Sequence, residues 1–333
     1  MAVLGNTYLN LLDTYKRSDA HGNIVDVIEL LTKINPILAD AITVECNMQT
    51  QHMHTVRTGL PSVAWGMLYK GIPQSKSRTA QVTDTTGFLE ALSTVDKRLL
   101  DLTKDEGKLR LSEALSFLES MSQEFASTFI YGNTASDPEK FLGLAPRFNS
   151  TSAANGGQIV SAAGAGSDNT SIWMITWAEN AVHLLHPQGT AVGVTREDKG
   201  EQRVTDGDGN PFYVKEEMFK HHVGLAVKDW RYVTRVANID VSNMQAGSVK
   251  LYDFLRKAYY KHQGRQATMG KSVIYCNRDV LECLDALATN AGAADNYTRL
   301  KYGEIEGKEV LQYRGMPIRE CQAILNTEAV VGA

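Results

Sequence analysis

From Cys46 to Thr83 the chain contains no Asp or Glu, and its only formal charges there are Arg57, Lys70, Lys76 and Arg78. The stretch "VRTGLPSVAWGMLYKGIPQSKSRTAQV" (56–82) reads as extended. In SVAWGMLY, Val63, Trp65, Met67 and Tyr69 alternate with Ala64, Gly66 and Leu68, which sends the two sets to opposite faces of a strand. Gly59-Leu-Pro61 and Gly71-Ile-Pro73 bracket it with turn chemistry. The strand that follows, QSKSRTAQVTDTT (74–86), is almost wholly polar. Two such strands cannot bury enough of each other, since an isolated hairpin is marginal in water. The pair therefore needs a neighbour, and its second strand offers no apolar face to its own domain.

The rest of the chain can supply a core. Of 333 residues, 43% are hydrophobic and 22% charged, ordinary values for a globular protein of one or two domains. The formal net charge of −4 lacks the basic footprint of a protein that grips phosphates along its length. No run of 18 apolar residues occurs, so neither a membrane span nor a membrane partner is expected. The first residues, MAVLGNTYLNLLDTYKRS, lack a signal-peptide pattern, and secretion is not expected. Cys46, Cys276, Cys283 and Cys321 lie far apart without C-x-x-C spacing and read as thiols.

Short helices are predicted over 7–17 and 23–34, the second ended by Asn35-Pro36. The segment ILADAI leads from there into the acid-free stretch. After the ribbon, Leu111, Leu115, Leu118, Met121, Phe125 and Phe129 step by three or four and predict a long helix with one apolar face, ended by Gly132-Asn133. Asp137-Pro138 opens a short helical turn. Residues 84–139 carry eleven acids against five bases, so the cationic stretch is followed directly by an anionic one. A Gly/Ala/Ser/Asn loop precedes the strands SIWMITW and AVHLLHP, a polar ribbon near 190–206, and strands over 212–239 joined through the turn signal Asp206–Pro211. A helix at 250–262, a strand at 272–276, a helix at 279–289 and strands near 309–314 and 316–325 complete the order. Without regular βαβ alternation the class is α+β with mostly antiparallel sheets.

Four constellations imitate chemistry. GRQATMGKS (264–272) resembles a phosphate-binding loop, but five residues separate Gly264 from Gly270, one too many, and the loop follows a helix and precedes a strand. GAGSDN (164–169) begins like a dinucleotide fingerprint and ends in Asn169, before a strand. Asp206, Asp208, Asn210 and Glu217 fall at calcium-loop positions, with Pro211 where a glycine is needed. Cys46, His52 and His54 offer metal-ligand types, with exposed strand residues as the plainer reading. His183/His186 and His221/His222 read as strand decoration. No catalytic residue, cofactor or metal site is nominated.

The stretches "LLTKINPILADAITVECN" (30–47), "TVRTGLPSVAWGMLYKGIPQSKSRTAQVTDTTGFLEALSTVDKRLLDL" (55–102), "FIYGNTASDPEKFLGLAPRF" (129–148), "SIWMITWAENAVHLLHPQGT" (171–190), "VKDWRYVTRVANID" (227–240) and "RGMPIRECQAI" (314–324) follow one another over nearly the whole chain. As a set they resemble the major capsid proteins of tailed bacteriophages, specifically the short-tailed kind related to the epsilon-fifteen phage. The resemblance implies the Hong Kong ninety-seven type of capsid fold. Residues 1–44 would be an N-terminal arm and 45–88 an extended loop reaching over a neighbour. Residues 89–149 would be a peripheral domain with spine helix 109–131, and 150–190 with 250–305 an axial domain. The strands of 191–249 and 306–333 are left between peripheral and axial assignment.

It further implies self-assembly as hexamers and pentamers into an icosahedral head around double-stranded DNA held without sequence-specific binding. A separate scaffolding protein, a portal and a decoration protein are its implied partners. The protein would lie in the virion, and in host cytoplasm during assembly. Arg57, Trp65, Met67, Leu68, Lys70, Lys76 and Arg78 become inter-subunit contact candidates. Neither a covalent crosslink through Lys70 or Lys76 nor an N-terminal cleavage is expected. The alternatives are a nanocompartment shell of the same fold and a nucleotide-using enzyme built on 264–272.

Overall fold

A computed structural model describes residues 32–266, 270–289, 300–305 and 308–332, with Tyr8, Leu9, Asp13 and Arg17 before them. The helices predicted over 7–17 and 23–34 fall almost wholly outside these residues, and Thr32–Ile34 are not helical. In chain order the elements are α1 (Ile37–Asp40), β1 (Thr43–Glu45), β2 (Gln51–Gly59), β3 (Arg78–Asp96), α2 (Lys97–Asp101), α3 (Glu106–Tyr131), α4 (Leu144–Arg147), β4 (Ile159–Ser161), β5 (Asn169–Trp177), β6 (Val182–His186), β7 (Val194–Thr205), β8 (Pro211–Val227) and β9 (Val233–Asp240). Then follow α5 (Val241–Gln245), α6 (Leu251–Lys261), β10 (Lys271–Cys276), α7 (Arg278–Thr289), β11 (Lys301–Ile305), β12 (Lys308–Tyr313) and β13 (Met316–Glu320).

The strands join in the order β11-β12-β13-β10-β5-β6-β8-β3-β2, with β1 on β6, β7 on β8, and β9 between β4 and β5. Most pairs are antiparallel; β1–β6, β4–β9, β5–β6 and β10–β13 are parallel. All nine residues of β5 are buried. Its sequence, NTSIWMITW, shows no polar alternation because both of its faces are covered. On one face Trp173, Ile175 and Trp177 pack with Phe125, Phe129 and Phe148. On the other, Ile172 and Met174 pack with Leu251, Leu255, Val280 and Leu284 of α6 and α7.

The long helix α3 starts at Asp105, whose carboxylate accepts from the Lys108 amide at 3.1 Å. Met121, Phe125 and Phe129 enter the core as the three-and-four spacing predicts. Leu111 and Leu115 do not: both are exposed. The buried stripe of the N-terminal half runs instead through Ala114, Phe117, Leu118 and Met121, against Leu89 and Ala91 of β3 and Phe219 of β8. Leu111 and Leu115 sit on the adjoining face, a distinction that leucine spacing alone does not carry. Gly132 ends the helix at φ −51°, so left-handed backbone is not its reason. A Cβ there would lie 2.5 Å from the carbonyl oxygens of Thr128 and Phe141. Asp137–Lys140 form a hydrogen-bonded turn, and the short helix comes later, as α4.

Strand β3 is nineteen residues long and serves two partners. Arg78–Thr85 pair with β2, and Thr86–Asp96 pair with β8 from Gly224 back to Val214. The first half belongs to a projecting hairpin and the second to the body. The strand predicted over 62–69 is not formed. Residues 60–77 contain only a turn, with Lys70 N donating to Met67 O at 3.2 Å, and a cross-link from Ser75 Oγ to Ser62 O at 2.8 Å. Extended backbone becomes a strand only when another strand takes its hydrogen bonds, and none is present here.

Candidate inter-subunit interface

Every residue from Leu60 to Ser77 is exposed. Trp65 is 99% exposed and Leu68 91%, with Val63, Met67, Tyr69 and Ile72 open beside them. Seven apolar or aromatic side chains, counting Leu60, thus cluster at the hairpin tip without touching the body. Lone exposed apolar residues need no explanation, but a contiguous set marks a binding surface. Arg57 lies near the outer end of β2, Arg78 opens β3, and Lys70 and Lys76 lie in the tip between them. None of the four forms an ion pair with a described residue. The seven candidate residues are therefore gathered on one projection, and none of them pairs with a charged group of the body among the described residues.

The anionic region that follows is largely spent within the chain. Asp84 pairs with Arg147 at 2.7 Å, Asp96 with Arg98 at 2.9 Å, Glu124 with Lys140 at 2.8 Å and Glu106 with Lys215 at 2.5 Å. Glu113 pairs with Arg17, and Glu119 accepts from the Lys33 amide at 2.9 Å. Among the described residues, Glu90, Asp101, Asp105, Glu119, Asp137 and Glu139 form no ion pair, and of these Asp105 and Glu119 accept from backbone amides. Glu90 sits on the outer face of β3 between Phe88 and Leu92, which are 53% and 48% exposed. The opposite face of that strand, Leu89 and Ala91, packs on α3. Near this patch an open notch is lined by Gly87, Phe88, Phe125, Thr128, Glu139 and Phe141.

Two of the constellations that imitate chemistry have structural contacts of their own. Gly264 is required because a Cβ there would meet Thr176 Oγ1 at 1.7 Å. Lys271, the lysine of the phosphate-loop likeness, donates instead to the buried Asp40 at 2.7 Å, and Tyr275 joins the same carboxylate at 2.9 Å; residues 267–269 lie outside the described set. Asp206–Pro211 is a hairpin turn in which Asp206 accepts from the Asn210 amide at 2.7 Å. The histidines are not surface decoration: His183 is 0% exposed, His52 7%, and His221 is buried against Phe125. Alternation on β2 placed His52 and His54 on one face, but their burial depended on β6 arriving beside them. Sequence reading also missed a core ion pair. Arg235 donates to Glu328 at 2.8 Å, and Tyr131 and Ser171 donate to the same carboxylate at 2.6 and 2.7 Å.

A sheet covered by helices on both faces, a long helix under a ribbon, and an arm with no seat on its own body define the class: a capsid protein of the Hong Kong ninety-seven type. The capsid structure of bacteriophage Epsilon15 matches with 38% identity over 100% of both chains and a TM-score of 0.79. The capsid of bacteriophage JBD30 matches over 88% of this chain and 92% of its own at a TM-score of 0.50 and 9% identity, a likeness of fold alone. The holo-SrpI encapsulin complex from Synechococcus elongatus reaches a TM-score of 0.40 at 11% identity, over 65% of this chain and 92% of that one, too little to carry an argument. No curated protein sequence matches. The chain belongs to the family of the major capsid protein GP7, whose model matches residues 19–332. It is a major capsid protein of tailed phages and hence a virion component.

Proposed function

We propose that copies of this chain close head-to-tail into hexamers and pentamers, and these into an icosahedral head around double-stranded DNA. The observation that carries this reading is the tip, an apolar cluster held away from its own body. Burying Val63, Trp65, Leu68 and Ile72 on a neighbour would contribute about 1.5–3 kcal/mol each. Exposed ion pairs of Arg57, Lys70, Lys76 and Arg78 contribute ~0.2–1 kcal/mol each. Apolar contact therefore supplies most of the affinity, and charge sets the register. The surface of the next copy that matches best is the outer face of β3, where Phe88 and Leu92 flank the unpaired Glu90, continued by Glu139 at the notch. A contact between two different patches generates a ring when its rotation closes.

The division into arm (1–44), extended loop (45–88), peripheral domain (89–149) and axial domain (150–190 and 250–305) belongs to this proposal. Strand β3 runs through the boundary at 88 without interruption. A scaffolding protein, a portal, a decoration protein and a host-cytoplasmic assembly stage belong to it too. A mildly acidic chain suits confined DNA, since a strongly basic lining would bind the duplex and hinder its movement. The test is a Trp65→Ala/Leu68→Ala variant. Circular dichroism should show a folded subunit, and negative-stain images should show no shells. Normal shells from that variant would reject the reading.

A further inference from the structure

Three imidazoles meet at the root of the hairpin, where β3 leaves β8 and takes up β2. His52 and His54 alternate on β2, opposite Asp84 and Val82 of β3. His183 comes from β6, opposite Ala226 of β8. The rings of His52 and His183 are 5.6 Å apart and nearly perpendicular, and those of His52 and His54 are 6.4 Å apart. Five of the six ring nitrogens (Nδ1 of His52 and both of His54 and His183) lack a hydrogen bond of ordinary geometry, with only a weak approach of His183 to the Ala178 backbone. Buried polar atoms are rarely left so, because each gives up its hydrogen bonds to water without replacement. Packing alone does not call for histidine here.

The surrounding charges are lopsided. Lys228, just past the end of β8, faces all three rings, and Arg147 of α4 faces His54. Among the described residues, Asp84 of β3 is the one anion facing His52 and His54. One of its oxygens already accepts from Arg147 at 2.7 Å, and the other stands 3.9 Å from His54 Nδ1. Cys46, beside Leu185 and Ala226, is a thiol held neutral by burial and by Glu45. A proton added to this cluster thus meets two cations and one anion, Asp84, whose Oδ1 holds Arg147 while its Oδ2 has no hydrogen bond.

We propose that these histidines form a proton-operated latch at the arm's root: neutral rings hold the hairpin rigid on the body, and protonated rings open the root and free the arm to swing. Burial first, then Lys228, pushes His183 down to about 4 and lowers His52. Burial also lowers His54, against the opposing pull of Asp84. An opened imidazole takes up its proton near pH 6.5. Below that pH the open state binds more protons than the closed one. The closed root keeps its full stability above about pH 6.5 and loses it as pH falls toward about 4. Among the described residues no group of three or more His, Cys, Asp or Glu is arranged to hold a metal ion, and the adjacent cations disfavour one. What the swinging arm lets go of rests on the proposed contact between copies; the opening itself does not.

The test is amide hydrogen exchange on the full chain, as dissociated subunits and as shells, at pH 7.5 and 5.0 with intrinsic rates divided out. Amides of 52–56 and 79–85 should lose protection about tenfold or more at pH 5.0, the change expected per unit of coupled pKa difference, while those of β5 stay unchanged. His183→Leu should keep the arm protected at pH 5.0, and so in part should the milder His54→Gln. Equal protection of the native arm at both pH values overturns the latch. So does loss at the same pH in both variants. One zinc ion bound per chain at pH 7.5 and lost in His54→Gln would make the cluster a metal site and overturn it too. Subunit arms that open while shells persist would uphold the latch and instead remove the proposed contact between copies.

Discussion

Strand β5 and the hairpin tip are the two extremes of one chain. Both are rich in Trp, Met and Ile or Leu. In β5 all nine residues are buried between two helix layers, whereas from 60 to 77 every residue faces solvent. Composition does not separate them; the presence of partners does. Apolar side chains at the tip add nothing to the fold of one copy, because they leave water only against another molecule. The same residue types therefore stabilise the subunit in one place and, under the proposed contact, the assembly in the other.

That contrast breaks down if core and tip respond alike. The largest expected effect is in the core. Phe129→Ala should cost about 3–5 kcal/mol of unfolding free energy, read from denaturant melts of dissociated subunits. Removing one partner of the buried pair, as in Glu328→Ala, should cost a similar ~3–5 kcal/mol, because Arg235 is left charged and buried. Next comes Gly264→Ala, whose new methyl must displace Thr176, at about 1–3 kcal/mol. Leu115→Ala, on the exposed face of α3, should stay within about 0.5 kcal/mol. Smallest of all in the lone subunit is replacement of 60–77 by Asn-Gly, which should leave the melt unchanged and abolish shells. A melt shifted by more than about 1 kcal/mol would mean the tip has a seat on its own body. Reversing Arg57, Lys70, Lys76 and Arg78 to Glu should likewise spare the melt. It should weaken assembly in a way that fades at high salt, since exposed charges are screened.

Where one element alone decided the structure, the sequence was a good guide. The long helix, β5, β6, β10, α6 and α7 were legible because their apolar spacing is set by surfaces within the same fold. The tip was legible as a misfit, though not as irregular: alternation in SVAWGMLY spoke for a strand, and no strand of the same copy pairs with it among the described residues. Leu111 and Leu115 carry the spacing of a core face and lie beside it, because the phase of a helix is fixed by what it packs on. The anionic region looked available for a partner until pairs with Arg147, Lys140, Lys215 and Arg17 took up four of its eleven acids. The histidine cluster was hidden for the same reason. His52, His54 and His183 meet only through the pairing of β2 with β3, β3 with β8 and β8 with β6.

The unbroken course of β3 also has a mechanical meaning. Its inner half is held to β8 by a ladder of eleven register pairs, Thr86 to Asp96. Tension applied along the arm acts parallel to that strand, so the rungs are loaded together in shear instead of being peeled one after another. A pull that would unzip a hairpin set crosswise on its support must here slide a whole strand past its neighbour at once. The projecting lever is thus fastened to its subunit in the orientation that best resists a pull along its length.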